Sequence, residues 1–304
     1  MYILEAGEGV FLLRFFPDGR RLLAGVAAAD KTVSFDVWTL PDGGRVRLGL
    51  PPRLKLESWW YSGYGNAVAV HPDGERCYVA WDGRLYAFRT ADGTPLPVPK
   101  DVKAHQVILS PDGGRMLAAY VTPSRKQLYA LRTGGEDGAV ERRPTPQTFW
   151  QLGGFLPDGE RVVMIHDSVR VVTFATGEEH AAVRYPAGHA YQPQVSPDGR
   201  YFGVIGYSSF YVYDLPDLGK PRRLTSTRSS GDYVSFAFHP GGRALAVIHG
   251  GPTLVKVYDP ATLRPLHTFK WKLGPLGAVA YSPDGALAAA GSQDGRIVVW
   301  DVDE

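Results

Sequence analysis

The sequence holds a single cysteine, Cys77, among 304 residues. That excludes an internal disulfide and a thiolate-rich metal cluster. A charge surplus is also missing: 33 Lys and Arg stand against 31 Asp and Glu, a formal net charge of +2. Such a balance argues against a protein held to nucleic acid or to a membrane surface by bulk charge. Long apolar runs are absent. The longest, residues 22–29, falls far short of the roughly 18–20 residues that cross a bilayer. Glu5 and Glu8 precede the first basic residue, Arg14, which reverses the charge order of a secretory leader. The expectation is a cytoplasmic protein with neither a membrane nor a nucleic-acid partner. No helical period of 3.6 residues is sustained anywhere.

Turn chemistry is abundant instead. The chain has 36 Gly and 24 Pro, roughly a fifth of all residues against about 12% on average. Many of them recur in one motif. The segments FFPDGRRLLAGV, VHPDGERCYVAW, LSPDGGRMLAAY, FLPDGERVVMIH, VSPDGRYFGVIG, FHPGGRALAVIH and YSPDGALAAAGS align on Pro17, Pro72, Pro111, Pro157, Pro197, Pro240 and Pro283. Their spacings run from 39 to 55 residues and average about 44, the period of a four-stranded propeller blade. Pro presets φ at the first central position of a turn, Asp bonds its own backbone and Gly accepts φ > 0.

The flanks of the motif read as strands. Two residues before each proline stands an apolar side chain: Phe15, Val70, Leu109, Phe155, Val195, Phe238 or Tyr281. Four before, Leu13, Val68, Val107, Phe236 and Val279 are apolar again, with Gly153 and Pro193 as exceptions. A period of two is a strand. A second and a third apolar run follow each turn, and a weaker fourth completes the unit. The last unit has only three strands, and a spare strand at Tyr2–Ala6 precedes the first. The prediction is an all-β chain: one domain over 1–304, a seven-bladed β-propeller of four-stranded antiparallel blades. The N-terminal strand joins the last blade, closing the ring and removing its open edges.

The last unit, VAYSPDGALAAAGSQDGRIVVWDV, resembles a WD-repeat (WD40) blade. Trp300-Asp301 matches the name-giving dipeptide, and Tyr258-Asp259 and Tyr213-Asp214 match it loosely. Ser292, Asp294 and Trp300 fit the hydrogen-bonded His–Ser/Thr–Asp–Trp group of that family, with Lys272 where its His would fall. His189, eight residues before Pro197, is out of register. The same SPDG turn is also used by propellers that accompany periplasmic receptors and peptidases.

Motifs of catalysis are sparse. Ser110, Ser196 and Ser282 repeat with the turn and read as turn-supporting hydroxyls, and His71 and His239 share that position. No G-x-S-x-G elbow, Walker A loop or H-E-x-x-H helix occurs. The stretch from Asp214 to Gly219 lacks the alternating oxygen ligands of a calcium loop. Lys220, Arg222, Arg223 and Arg228, and Arg142 with Arg143, read as solvated outer strands.

In a propeller the start of each inner strand lies at the channel mouth. From seven to three residues before the turn prolines, the polar residues are Arg14, Asn66, His105, Gln106, Gln151, Gln192, Gln194 and Ser235, with no Asp or Glu. Acid–base and metal-assisted chemistry needs carboxylates or paired His there. Hence no catalytic residue, metal or cofactor is expected. The expected function is a non-catalytic scaffold that binds a peptide or protein on one propeller face; the alternative is a propeller enzyme, such as a lactonase-like hydrolase, with its site at the channel. Aromatic and His side chains crowd the segments leading into the inner strands, and rings with polar tips are favoured at interface hot spots. Trp60, Tyr64, His105, Trp150, Tyr191 and Tyr233 are the predicted partner-binding residues.

Overall fold

The fold was obtained as a computed structural model, which describes residues 1–303 apart from 53, 57–65, 122–125, 134–139, 142–150, 188–189, 207, 226–232 and 250–252. Among the described residues the strands form seven antiparallel sheets of four strands each. The expected seven-bladed propeller is therefore the fold. Blade 1 runs outward from an inner strand, Gly9–Phe15, through Arg21–Ala27 and Val33–Thr39 to an outer strand, Arg45–Arg47.

The turn after each inner strand explains the repeat. Gly19, Gly74, Gly113, Gly159, Gly199, Gly242 and Gly285 all adopt φ between 65° and 74°, a region closed to most side chains. Beyond the turn the second strands are buried along nearly their whole length, as in Tyr201–Ile205. Each blade is thus covered on both faces by its neighbours. Phe16, Leu23 and Phe35 of blade 1 share one core with Cys77, Val79 and Phe88 of blade 2. Burying one such large apolar side chain stabilises the fold by about 1.5–3 kcal/mol.

The ring closes through the first strand. Tyr2–Glu5 pairs with Arg296–Asp301 from Tyr2↔Val299 to Glu5↔Arg296, one residue shorter than the sequence suggests. The seam between blades 7 and 1 is tight. A Cβ on Gly277 would overlap the Val10 carbonyl oxygen, and one on Gly291 would overlap the Val10 side chain.

Each inner strand lies at the edge of its sheet, so one side of its backbone has no strand partner and faces the central channel. In blades 1, 4, 5, 6 and 7 the pairing of inner and second strand shifts register near the start of the inner strand. Such bulges re-aim side chains. Among the described residues no helix is long and apolar enough to cross a membrane.

Candidate functional site

The channel has two ends. One, the start face, carries the beginnings of the inner strands; the other, the turn face, carries the Pro-Asp-Gly turns. At the start face four of the polar residues singled out by the sequence are bound into the ring. Gln106 Oε1 accepts the Leu152 N–H at 2.7 Å, joining blade 3 to blade 4. Gln192 Oε1 accepts the Phe236 N–H at 3.3 Å, and its Nε2 donates to Ser235 Oγ at 3.4 Å. Ser235 Oγ in turn accepts the Val279 N–H at 3.4 Å. Asn66 spans the channel: its Nδ2 donates to the carbonyl of Pro193 at 3.2 Å and to that of Leu152. Amide and hydroxyl side chains thus satisfy backbone groups that the next inner strand leaves open. The physical need is strong, because a buried unpaired backbone group costs about 1–3 kcal/mol.

The predicted partner-binding residues divide. Trp60, Tyr64 and Trp150 lie outside the described residues. His105 is exposed and packs on Tyr120 with ring centroids 4.6 Å apart, while Lys103 Nζ stands 5.6 Å from the same Tyr120 ring. Tyr191 is half-buried against the core shared by blades 5 and 6. Tyr233 is a correction: at 3% exposure it is buried, wedged against Phe210 and His249, because the side chain at the start of that inner strand turns into the blade interface. It offers no surface to a partner.

The turn-face readings are local structure. Ser110, Ser196 and Ser282 donate to Asp112, Asp198 and Asp284 at 2.5, 2.6 and 2.5 Å. The Ser110 and Ser282 hydroxyls, together with the N–H groups of Gly114 and Ala286, hold Asp112 and Asp284 below the usual carboxylate range. His71 is buried, with Nε2 3.2 Å from the Gly113 carbonyl of the next turn. His239 Nδ1 accepts the Gly241 N–H at 3.0 Å and its Nε2 lies 3.1 Å from Arg243 Nε; it fills the role of the Asp that the Pro240-Gly241-Gly242 turn lacks. Asp214 forms a two-pronged pair with Arg222, both contacts 2.7 Å, so its oxygens are taken. In the last blade Asp294 accepts from Ser292 and from the Gly274 N–H, and Arg296, the strongest influence, draws it down to about 2. Trp300 packs beneath Trp271 at 4.7 Å, and Lys272 is exposed.

One device escaped the sequence reading. An arginine follows six of the seven turn prolines by three or four residues. Arg21 donates to the Gly74 carbonyl at 2.8 Å, Arg115 to that of Gly159 at 3.4 Å and Arg200 to that of Gly241 at 3.1 Å, each in the next turn. The turn Asp holds the guanidinium, as Asp18 does Arg21 at 2.6 Å. The signal was present as P-D-G-x-R, but the turn alone already explained the Asp.

Between the two faces lies a chamber of about 320 Å³, bounded by the later halves of the inner strands of blades 1–5. Asn66, Arg14 and Gln194 are its polar lining, and among the described residues no Asp or Glu lines it. Burial pulls the Arg14 guanidinium down to about 10. Among the described residues no three His, Cys, Asp or Glu gather where they could hold a metal ion.

Comparison with known proteins agrees with the repeat. The WD40 family pattern (WD domain, G-beta repeat) matches residues 263–301. An uncharacterized WD repeat-containing protein of Synechocystis is 25% identical over 166 residues, 54% of this chain and 47% of that protein. A serine-threonine kinase receptor-associated protein of Gallus gallus is 38% identical over 104 residues, 34% of this chain and 29% of its own. The chain thus spans less than half the length of these curated relatives. The Cps50 (Swd1) β-propeller domain of Myceliophthora thermophila superposes with a TM-score of 0.76 at 15% identity, covering 99% of this chain and 98% of that one; it shows the shared fold. Repeat period, seven-bladed ring and the match over the last blade coincide: the fold is a seven-bladed β-propeller, and the chain is similar to WD40-repeat proteins, with the family pattern itself matched over residues 263–301.

Proposed function

We propose that this propeller is a non-catalytic scaffold that holds a peptide or protein partner on its start face. The observation that carries the reading is how the channel-mouth groups are used. Asn66, Gln106, Gln192 and Ser235 spend their polar atoms on the backbone of neighbouring blades, and groups so committed are not available as an acid–base pair. Beside them the His105–Tyr120–Lys103 cluster presents rings and a cation at the rim between blades 2 and 3. A relative named as receptor-associated is consistent with such a role. The proposed face includes His105, Tyr191, Trp60, Tyr64 and Trp150, without the buried Tyr233. The reading also includes a single domain over 1–304 and a cytoplasmic location, which fractionation of the source cells would check.

The test is affinity capture from the source organism with quantitative mass spectrometry. A specific protein should be retained by the wild-type chain and reduced at least tenfold by His105→Ala combined with Trp150→Ala, at unchanged unfolding temperature. Equal retention by the double variant would remove the face from the reading.

A further inference from the structure

Every blade ends in an outer strand with one unpaired side. Such an edge invites pairing with another chain, and Lys, Arg or Pro on it discourages this. Arg45, Pro95, Arg184, Arg223 and Lys270 stand exposed on the outer strands of blades 1, 2, 4, 5 and 6. That of blade 3, Val140–Glu141, is two residues long. Blade 7 differs: its outer strand, Tyr2–Glu5, carries no Lys, Arg or Pro. Three large apolar side chains are exposed among the described residues, and two of them, Met1 (69%) and Ile3 (44%), are on this edge. The direction of its backbone groups is fixed by the ring closure. Ala6 N–H donates to the Gly295 carbonyl at 2.7 Å in the same register that pairs Leu4 with Ile297 and Tyr2 with Val299. In an antiparallel ladder such bonds fall on alternate residues, so residues 2, 4 and 6 turn inward to the blade. The N–H and C=O groups of Ile3 and Glu5 point outward, where no described residue bonds them.

We propose that this edge is a self-association site, at which a second copy of the chain lays its own Tyr2–Glu5 strand antiparallel to the first. The two copies of blade 7 then form one continuous sheet about a two-fold axis. The strand is complementary to itself. With Ile3 opposite Ile3, the two residues exchange both backbone bonds, and the Glu5 groups extend the ladder at each end. Ile3 already lies beside Val298, so the central row reads Val298, Ile3, Ile3, Val298 and covers the exposed side chains. The charges fit as well. Each Glu5 stands beside Arg296 of its own chain and interacts with it. The two Glu5 residues are about 13 Å apart along the strands, at ~3.3 Å per residue, so no like charges face each other. The paired strands are short, and the association is weak and concentration-dependent. It leaves both start faces uncovered and does not depend on the partner-binding reading.

Sedimentation velocity of the full chain, without an N-terminal tag and over a roughly hundredfold range of concentration, tests the proposal. The expected result is a reversible monomer–dimer equilibrium. Ile3→Pro removes the outward N–H and keeps the inward bonds of residues 2, 4 and 6, a placement that edge strands accept. It should weaken dimerisation at least tenfold at an unchanged unfolding temperature. Ile3→Glu sets like charges opposite each other at the two-fold axis, should do the same, and serves if Ile3→Pro does not fold. Amide exchange locates the contact: the Ile3 and Glu5 amides should be protected only at dimer-forming concentrations, and that of Leu4 at all of them. A chain that is monomeric throughout, a dimer unweakened in every variant that folds, or unprotected Ile3 and Glu5 amides in the dimer would overturn the proposal. So would a monomeric chain whose capture of another protein falls in Ile3→Pro, a result that would give the edge to a foreign strand.

Discussion

Asp36 is fully buried and nevertheless charged chemistry surrounds it. Arg45 reaches its Oδ2 at 2.6 Å and Arg47 its Oδ1 at 2.9 Å, while both guanidinium groups keep access to water. The three residues cannot be equivalent to mutation. Asp36→Asn leaves two arginines that can turn outward, and its cost should stay near about 1–2 kcal/mol. Arg45→Met with Arg47→Met strands an uncompensated carboxylate in the core and should cost about 3–5 kcal/mol. Urea unfolding of the two variants would check the order; a costlier Asp36→Asn would contradict it. The same logic separates what could be read from the sequence at this scale. Asn66, Gln106, Gln192 and Ser235 were visible as polar residues in an apolar strand pattern. Their partners were not, since each bonds to backbone of another blade, which has no residue signature. Tyr233 failed for a related reason: an aromatic at a strand start can face the rim or the next blade, and only packing against Phe210 decides.

At the scale of strands the Pro-Asp-Gly turns made the inner and second strands legible, and the blade count with them. The outer strands were harder. Pro95–Leu96 and Arg45–Arg47 span two and three residues, and Pro265–Lys270 is exposed at most positions. One face of such a strand meets water, so the alternating apolar signal fades. The first strand is the exception, because its place followed from the missing fourth strand of the last unit. Deleting residues 1–8 would uncover the hydrogen-bonding edge of Arg296–Asp301 along the Leu4–Ile297 register. The truncated chain should unfold at least 5 °C lower and form higher oligomers through that edge, read by calorimetry and light scattering. An unchanged midpoint with a monomeric protein would mean that the ring holds without its closing strand.

For the whole molecule, acid should act in two separate windows. His249 packs against Tyr233 at 4.8 Å, and burial, aided by Lys256, lowers it to about 4. The unfolded chain would titrate it near 6.5. Above that value both states are neutral and the contribution is complete. As pH falls from 6.5 through 4 only the unfolded state takes up the proton at first, and up to about 3 kcal/mol of stability is lost. His239 is lowered too, by burial and then by Arg243, and adds in the same direction. The turn carboxylates, held below their usual range, contribute only at still lower pH. Thermal midpoints at pH 7 and pH 4.5 should therefore differ clearly in the wild type and by less in His249→Gln. Equal differences would exclude His249 as a source.

Closure by the first strand also sets an order in time. Residues 2–5 are synthesised ahead of all seven blades, and their partner, 296–301, follows about 290 residues later. At roughly 5–20 residues per second, the first strand waits on the order of fifteen to sixty seconds for its mate. Throughout synthesis the nascent blades expose one uncovered face and the N-terminal strand has no sheet to join. A growing propeller of this design is therefore a natural client of chaperones that shield strand edges, until the final blade arrives and the ring locks.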